Sequence, residues 1–241
     1  MREGSMVIKL LEGVLRPGGL QITAELTKLC AFRPGDRVLD LGCGAGVTVE
    51  YLTEEWGLEA VGIDGDPLRV EEAKRRVPTL NILTADGADL PFGDELFDGI
   101  FAECSFSVMD YHEAVLGEVF RVLKPGGKLA ISDLYIKEGF AREGKGPASA
   151  SRVCLAGART AQELRGLLAE HGFRLIFWQD ASRSLAEFVA QYIMTYGSLD
   201  QAWLMPKEAC PKGTSKKGIG YFFAVAQKVE RNNGKRGGEN V

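Results

Sequence analysis

A glycine-rich turn between a predicted strand and a predicted helix is the first feature able to bind a ligand. The strand Arg37–Leu41 leads into Gly42-Cys43-Gly44-Ala45-Gly46, and a helix is predicted from Val47 to about Trp56. In such a turn, backbone N–H groups and a helix N-terminus face the ligand. The dinucleotide fingerprint G-x-G-x-x-G is not met, because Val47 stands at its third glycine. Asp40 precedes the turn, and its negative charge favours a cationic ligand over a phosphate.

Two further acids end the next two predicted strands. Asp64 ends Glu59–Asp64, where a carboxylate can accept hydrogen bonds from both hydroxyls of a ribose. Asp86 ends Asn81–Asp86, where it can reach an exocyclic amine of a base. One acid can pair with an ammonium, one with a ribose and one with an adenine. This set of three acids fits S-adenosylmethionine better than NAD or ATP. The alternative is structural, since any tight turn uses glycine and Asp64 alone could be a surface turn residue.

The motifs resemble those of class I S-adenosylmethionine-dependent methyltransferases. The similar segments are Val38–Gly46, Ala85-Asp86, Leu90-Pro91-Phe92, Phe97-Asp98 and Arg121–Gly127, and the resemblance covers about residues 16–177. It implies that Asp40 and the Gly42–Gly46 loop, with Cys43 and Gly44, hold the methionine end of the cofactor. It further implies Asp64 on the ribose, Asp86-Gly87 near the adenine, and the backbone of Glu103 facing the methionine end. We assign Gly65 and Gly19 to the same cofactor site.

The rest of the chain continues an alternation of strands and helices. After the segments above, strands are predicted at 97–104, 128–134, 173–179 and 219–228, and helices from Asp66-Pro67, at 111–123 and from Thr160. This pattern predicts a Rossmann-like, doubly wound α/β sheet of seven strands whose last strand is antiparallel. We predict a single domain over residues 1–230, with a small helical cover formed by insertions at about 136–159 and 182–218, and a disordered tail at 231–241.

Cysteines offer the most specific hypothesis about the methyl acceptor. Cys104 ends the fourth strand, while Cys154 and Cys210 lie in the two insertions. Converging thiols could bind a soft centre such as trivalent arsenic, although free cysteine is more often a small buried apolar residue. The segments Glu103–Ser107, Ser132–Tyr135 and Cys154–Ala158 resemble arsenite methyltransferases, which implies an arsenic-binding role for Cys104 and Cys154. Gly18 stands where that family carries a further cysteine.

Other interpretations stay open. The segments Leu90-Pro91-Phe92 and Lys124–Gly127 also resemble the quinone-biosynthesis C-methyltransferases, so a small-molecule carbon, nitrogen or oxygen methyltransferase is an alternative. A non-catalytic S-adenosylmethionine-binding protein is a third. His112 is a candidate general base or a residue that starts a helix, and His171 is interpreted as structural.

Composition limits the partners. The 241 residues include 29 Lys and Arg against 33 Asp and Glu, for a net charge of −4. Without a basic stripe we expect no nucleic-acid partner, and the substrate is expected to be a small molecule. Apolar runs fall short of the ~18 residues that span a bilayer, and no signal peptide is seen, so no membrane association is expected. Five cysteines without framework spacing indicate a cytoplasmic protein, and the oligomeric state stays unknown.

Overall fold

The computed structural model describes residues 16–140, 157–197 and 218–229. The strands are β1 (Arg37–Leu41), β2 (Glu59–Asp64), β3 (Ile82–Thr84), β4 (Phe97–Glu103), β5 (Leu123–Ile136), β6 (Arg159–Thr160), β7 (Phe173–Asp180) and β8 (Ile219–Lys228). They form one sheet in the order β3-β2-β1-β4-β5-β8-β7, and β6 pairs with the end of β5. The last strand, β8, is antiparallel to both its neighbours, and the other pairs are parallel. The predicted Rossmann-like sheet is therefore confirmed.

Two details of the sheet differ from the prediction. The segment Lys124–Gly127 is predicted as a turn but lies inside β5. The register between β4 and β5 shifts between Phe97 and Gly99, and this irregularity accommodates the segment. The two-residue strand β6 was not predicted. Two residues are too short for a recognisable alternation pattern.

Helices cover both faces of the sheet. They are α1 (Gly19–Cys30), α2 (Val47–Trp56), α3 (Pro67–Arg76), α4 (His112–Val122), α5 (Ala161–Glu170) and α6 (Ser182–Tyr196), with a 3-10 turn at Phe106–Val108. The predicted caps are present: Asp66 accepts from the Leu68 N–H, and Thr160 and Glu163 form a capping box. Across the described residues, no helix is long and apolar enough to cross a membrane.

The core consists of two layers divided by the sheet. Helices α1, α2, α3 and α6 pack on one face, against alternate strand residues such as Phe101, Tyr221 and Phe223. Helices α4 and α5 pack on the other face, against residues such as Ile100 and Phe222. Burial of both faces explains the nearly continuous apolar sequence of the central strands.

The parallel strands bring the chemistry-bearing residues to one edge. The carboxyl ends of β1, β2 and β4 carry Asp40, Asp64 and Glu103, and ligands bind open α/β sheets at this edge. Each of the two predicted cover insertions is described in part. Residues 136–140 and 157–159 belong to the first insertion, and residues 182–197 and 218 belong to the second. Helix α6 contributes buried residues to the core. The tail at 231–241 lies outside the described residues, and the single domain over 1–230 stays a prediction.

Replacing Gly46 with alanine should lower the free energy of unfolding by about 2–4 kcal/mol. Gly46 has φ 74, in the left-handed region, and an added Cβ would lie 2.3 Å from Ile82 Cδ1. The measurement is urea unfolding. Gly93→Ala is the matched control, because nothing lies within 4 Å of a Cβ there; equal stabilities of the two variants would contradict the prediction.

Candidate active site

The glycine loop 42–46 is fastened to the end of β2 by its own backbone. The N–H groups of Gly42 and Cys43 both donate to the Ile63 carbonyl at 2.8 Å, and the Gly46 N–H donates to the Cys43 carbonyl. Gly42 has φ 80, and a Cβ there would lie 2.5 Å from Ser105 Cβ, so the loop passes against the chain that follows β4. We expected the loop's N–H groups to face the ligand. These three instead hold the loop in place, because a turn with left-handed residues needs internal donors to stay ordered.

Asp64 links the loop to the second strand. One carboxylate oxygen accepts the Gly44 N–H at 2.8 Å, and the other accepts the Asp66 N–H at 2.9 Å. Each carboxylate oxygen has a second lone pair, so both can accept a further hydroxyl. The carboxylate is half-buried at the ligand edge. Gly65 follows it, beside the Ala85 carbonyl.

Asp86 lies beyond the third strand rather than at its end. Strand β3 ends at Thr84, and Asp86 is exposed in the following turn, where one of its oxygens accepts the Ala88 N–H at 2.9 Å. Gly87 is close-packed, since a Cβ there would lie 3.3 Å from Leu41 Cδ1. The turn still places an acid and a glycine at the same edge as Asp64.

Asp40 is a carboxyl buried near the end of β1. Its side chain points to the α1 face of the sheet and is only 3% exposed, yet no described residue donates a hydrogen bond to it. Burial raises the pKa of Asp40 to about 8, and the negative charges of Glu103 and Asp64 add to the shift while Arg16 opposes it. A buried acid in this condition requires either a proton or a cationic ligand.

Glu103 brings a feature that sequence reasoning missed. We expected its backbone to face the methionine end. The structure also buries its side chain in an ion pair with Arg16, with 2.8 Å between Nη2 and Oε2. Hydroxyl groups complete the pair: Thr23 donates at 3.0 Å, and those of Thr48 and Ser132 lie at 3.4 Å. We name Asp40, Glu103 and Arg16 the charged cluster.

A signal for Arg16 was present in the sequence. Acids near the carboxyl ends of neighbouring strands β1 and β4 share a face, and two buried carboxylates need a cation. The turn Pro17-Gly18-Gly19 holds that cation, because the Gly19 N–H donates to the Arg16 carbonyl at 3.2 Å. The assignment of Gly19 to the cofactor site stays a prediction.

Cys104 follows Glu103 with a left-handed backbone, φ 53. Its Sγ is 3.2 Å from Tyr221 Oη, and that hydroxyl donates to Ser132 Oγ at 3.1 Å. Burial raises the pKa of the Cys104 thiol well above its ordinary value, and Asp133 raises it further. Cys104 is therefore a neutral thiol at physiological pH.

The other predicted candidates have structural surroundings. The Cys43 side chain packs under the loop, where a Cβ at Gly62 would lie 2.8 Å from its Sγ. Cys154 and Cys210 lie outside the described residues, so convergence of thiols stays a prediction. His112 begins α4, with Nε2 2.8 Å from the Phe106 carbonyl, and His171 ends α5 with Nδ1 2.8 Å from the Leu167 carbonyl.

Comparisons with known proteins agree with this geometry. Residues 39–131 match the family described as "Methyltransferase domain". The O-methyltransferase resE of Aspergillus sclerotiorum is 27% identical over 87% of this chain and 82% of its own length. An arsenite methyltransferase of Halobacterium salinarum is 29% identical over 61% of this chain but 39% of its own length. The protein is an S-adenosylmethionine-dependent methyltransferase.

A solved structure extends the agreement to the fold. Phosphoethanolamine N-methyltransferase 2 of Haemonchus contortus, in complex with S-adenosyl-L-methionine, superposes on the methyltransferase with a TM-score of 0.70. The alignment covers 90% of this chain and 54% of that one at 20% identity, so the likeness is one of fold. The resemblance to class I methyltransferases and the expected cofactor, S-adenosylmethionine, are thus confirmed. The individual cofactor-binding residues stay predictions.

Proposed function

We propose that the methyltransferase transfers the methyl group of S-adenosylmethionine to a small organic acceptor at the carboxyl edge of the sheet. The observation that carries the proposal is the charged cluster beside the glycine loop. Asp40 is buried without a hydrogen-bond donor among the described residues, and it lies close to Glu103 and Arg16. A buried site with two acids and one base suits a sulfonium ligand and opposes a polyphosphate.

The residues present fit this cofactor. Asp40 would face the positive end of the methionine part, Asp64 would accept the ribose hydroxyls with its free lone pairs, and Asp86-Gly87 would lie by the adenine. The bound cofactor supplies an electrophilic methyl group. The remaining task of the chain is to hold an acceptor in line with that methyl and to exclude water, so positioning supplies most of the rate enhancement.

An organic acceptor is favoured over a thiol-bound metalloid. Metal and metalloid ligation needs a thiolate, whereas burial and the negative charge of Asp133 raise the pKa of Cys104 and keep it protonated. The similarity to the O-methyltransferase resE also extends over more of the chain than the similarity to the arsenite methyltransferase. Oxygen acceptors are therefore our first choice, ahead of the carbon acceptors of the quinone type.

Trivalent arsenic held by Cys104 and Cys154 is the second candidate. It is favoured by the position of Cys104 directly after β4 and by the arsenite methyltransferase among the similar proteins. We expect Cys104→Ser to keep at least about half of the activity on an organic acceptor, because a serine hydroxyl can still donate to Tyr221. Methylation of arsenite by Cys104→Ser or Cys154→Ser should disappear if thiols bind the substrate. Cys30→Ala, at the last residue of α1 and buried in the core, is the control for loss of a buried thiol.

The deciding experiment is a screen for acceptor-dependent release of S-adenosylhomocysteine. The panel contains phenols, hydroxylated alkyl compounds, quinols, amines and trivalent arsenicals with thiols. Turnover of an oxygen compound supports the first proposal. Turnover of arsenicals alone replaces it with the second, and tight cofactor binding without turnover of any member would favour a binding protein. Cytoplasmic location and absence of a nucleic-acid partner stay predictions from composition.

A further inference from the structure

Arg16 uses only part of its hydrogen-bonding capacity. Its Nη2 donates to Thr23 Oγ1 at 2.6 Å and to Glu103 Oε2 at 2.8 Å, and the side chain is only 12% exposed. Its Nε–H is buried and has no hydrogen-bond partner among the described residues. A buried donor without an acceptor is unfavourable and uncommon in folded proteins. The free Nε–H therefore indicates an acceptor that lies outside the described part of the chain.

The backbone fixes Arg16 beside the ligand edge independently of its ion pair. Gly18 has φ 73, and a Cβ there would lie 2.4 Å from Ile22 Cδ1, so the turn is packed directly onto α1. Ile22 is itself buried in the core. Although burial lowers it, the pKa of Arg16 is raised by Glu103, with smaller effects from Tyr221 and Asp40, so the guanidinium stays charged. A permanent cation is thus held next to the two acids.

Charge balance explains what this cation is for. With both acids ionised, the charged cluster carries one net negative charge. S-adenosylmethionine carries a sulfonium, an ammonium and a carboxylate, which sum to one positive charge. If the two acids face the two cationic groups, the carboxylate of the ligand still needs a positively charged donor.

The glycine loop has few donors left for that carboxylate. The N–H groups of Gly42, Cys43 and Gly46 donate to backbone carbonyls, and that of Gly44 donates to Asp64. Arg16 is also the cation that acts on Asp40. We propose that Arg16 binds the carboxylate of the cofactor's methionine moiety through its Nε–H, while Glu103 and Thr23 hold the guanidinium in place. This inference rests on the proposed orientation of the cofactor, with its positive groups toward Asp40.

The test compares two ligands by isothermal titration calorimetry: S-adenosylmethionine and its decarboxylated analogue, which keeps the sulfonium and an amine. Because a charge-assisted hydrogen bond is lost with the carboxylate, wild-type protein should prefer S-adenosylmethionine by about thirtyfold. In Arg16→Gln and Arg16→Lys that preference should shrink below about threefold, because only S-adenosylmethionine has a carboxylate whose hydrogen bond can be lost. The lysine variant keeps a charge beside Glu103 but lacks the Nε–H.

A purely structural Arg16 gives a different result. If it only neutralised Glu103, each variant would lose the same factor for both ligands, and that outcome would overturn the proposal. Equal wild-type affinities for the two ligands would also overturn it, whether or not Arg16→Gln folds. Arg37→Gln, which removes an exposed arginine paired with Glu59, is the matched control and should keep the wild-type preference. No acceptor is used, so a wrong acceptor leaves the test intact, whereas wild-type protein that binds neither ligand overturns the cofactor orientation and this inference together.

Discussion

Asp40→Asn is expected to weaken S-adenosylmethionine binding by about a hundredfold at about pH 8, because removal of one partner of a buried charge pair costs about 3 kcal/mol. The side chain is 3% exposed, so water would not replace the lost carboxylate. Asparagine keeps the size of the side chain and leaves the neighbouring packing unchanged. Calorimetric titration of both proteins measures the difference.

The pH dependence of binding provides a second readout of the same variant. Since the pKa of Asp40 is raised to about 8 in the free protein, a cationic ligand must displace a proton below that pH. Wild-type affinity should therefore fall by up to about tenfold for each pH unit below about 8. Asp40→Asn has no such proton to release. The ratio of wild-type to variant affinity is the quantity to plot, because titration of the ligand's own amine affects both proteins alike.

At about pH 8, the thermal stability of Asp40→Asn should change in the opposite direction to its cofactor affinity. The folded-state pKa of Asp40, about 8, lies above the ordinary value of 3.8, so the native protein binds a proton that the unfolded chain has released between those pH values. Stability contributed by this group is lost as pH rises from about 4 to about 8, by up to about 1.4 kcal/mol per pH unit. Asp40→Asn should then unfold at a higher temperature than wild type at about pH 8, although it binds cofactor less well.

Asp36→Asn is the control for these measurements. Asp36 directly precedes β1, at the end opposite to the candidate site, and is half-buried; its carboxylate accepts the Arg33 N–H. It should show wild-type affinity and wild-type pH dependence. Identical pH profiles of Asp40→Asn and wild type would remove Asp40 from the proposed ligand site.

Asp64→Ala is the second large effect, with an expected loss of cofactor affinity of about 2–4 kcal/mol, or between about thirtyfold and several hundredfold. Two causes add. The carboxylate that would accept the ribose hydroxyls is removed, and the N–H groups of Gly44 and Asp66 lose their acceptor. The glycine loop then loses one of its connections to β2.

Asp66→Ala is the control that distinguishes a loss of cofactor affinity from a loss of stability. Asp66 caps α3 by accepting the Leu68 N–H at 3.0 Å, so its loss should cost about 1 kcal/mol of stability. Cofactor affinity in this variant should stay within about threefold of wild type. An Asp64→Ala protein that behaves like Asp66→Ala in both measurements would discard the ribose assignment.

Local sequence determined most of the architecture. The strands β1, β2 and β8 and the helix α2 begin and end where alternation, glycine and capping residues predicted. Each depends on short-range chemistry: a glycine that ends a helix, or a proline at the first helical turn. The irregularity within β5 depends on its pairing with β4, a long-range partner that local patterns do not encode.

The candidate cofactor site was likewise predicted in part from the sequence, while the rest depends on the tertiary structure. Glycines 42, 44 and 46, Asp40 and Asp64 were predicted from their positions next to strand ends, because parallel strands must bring those ends to one edge. The sequence by itself also favoured a cationic ligand over a phosphate, through the sign of the charge beside the loop. Only the tertiary structure decided which donors are already used and which are free. Arg16 and Glu103 are 87 residues apart, and packing of α1 on the sheet joins them in one buried pair. Among the described residues the same packing provides no donor to Asp40, and it keeps Cys104 protonated, because burial and contacts between distant segments set those properties.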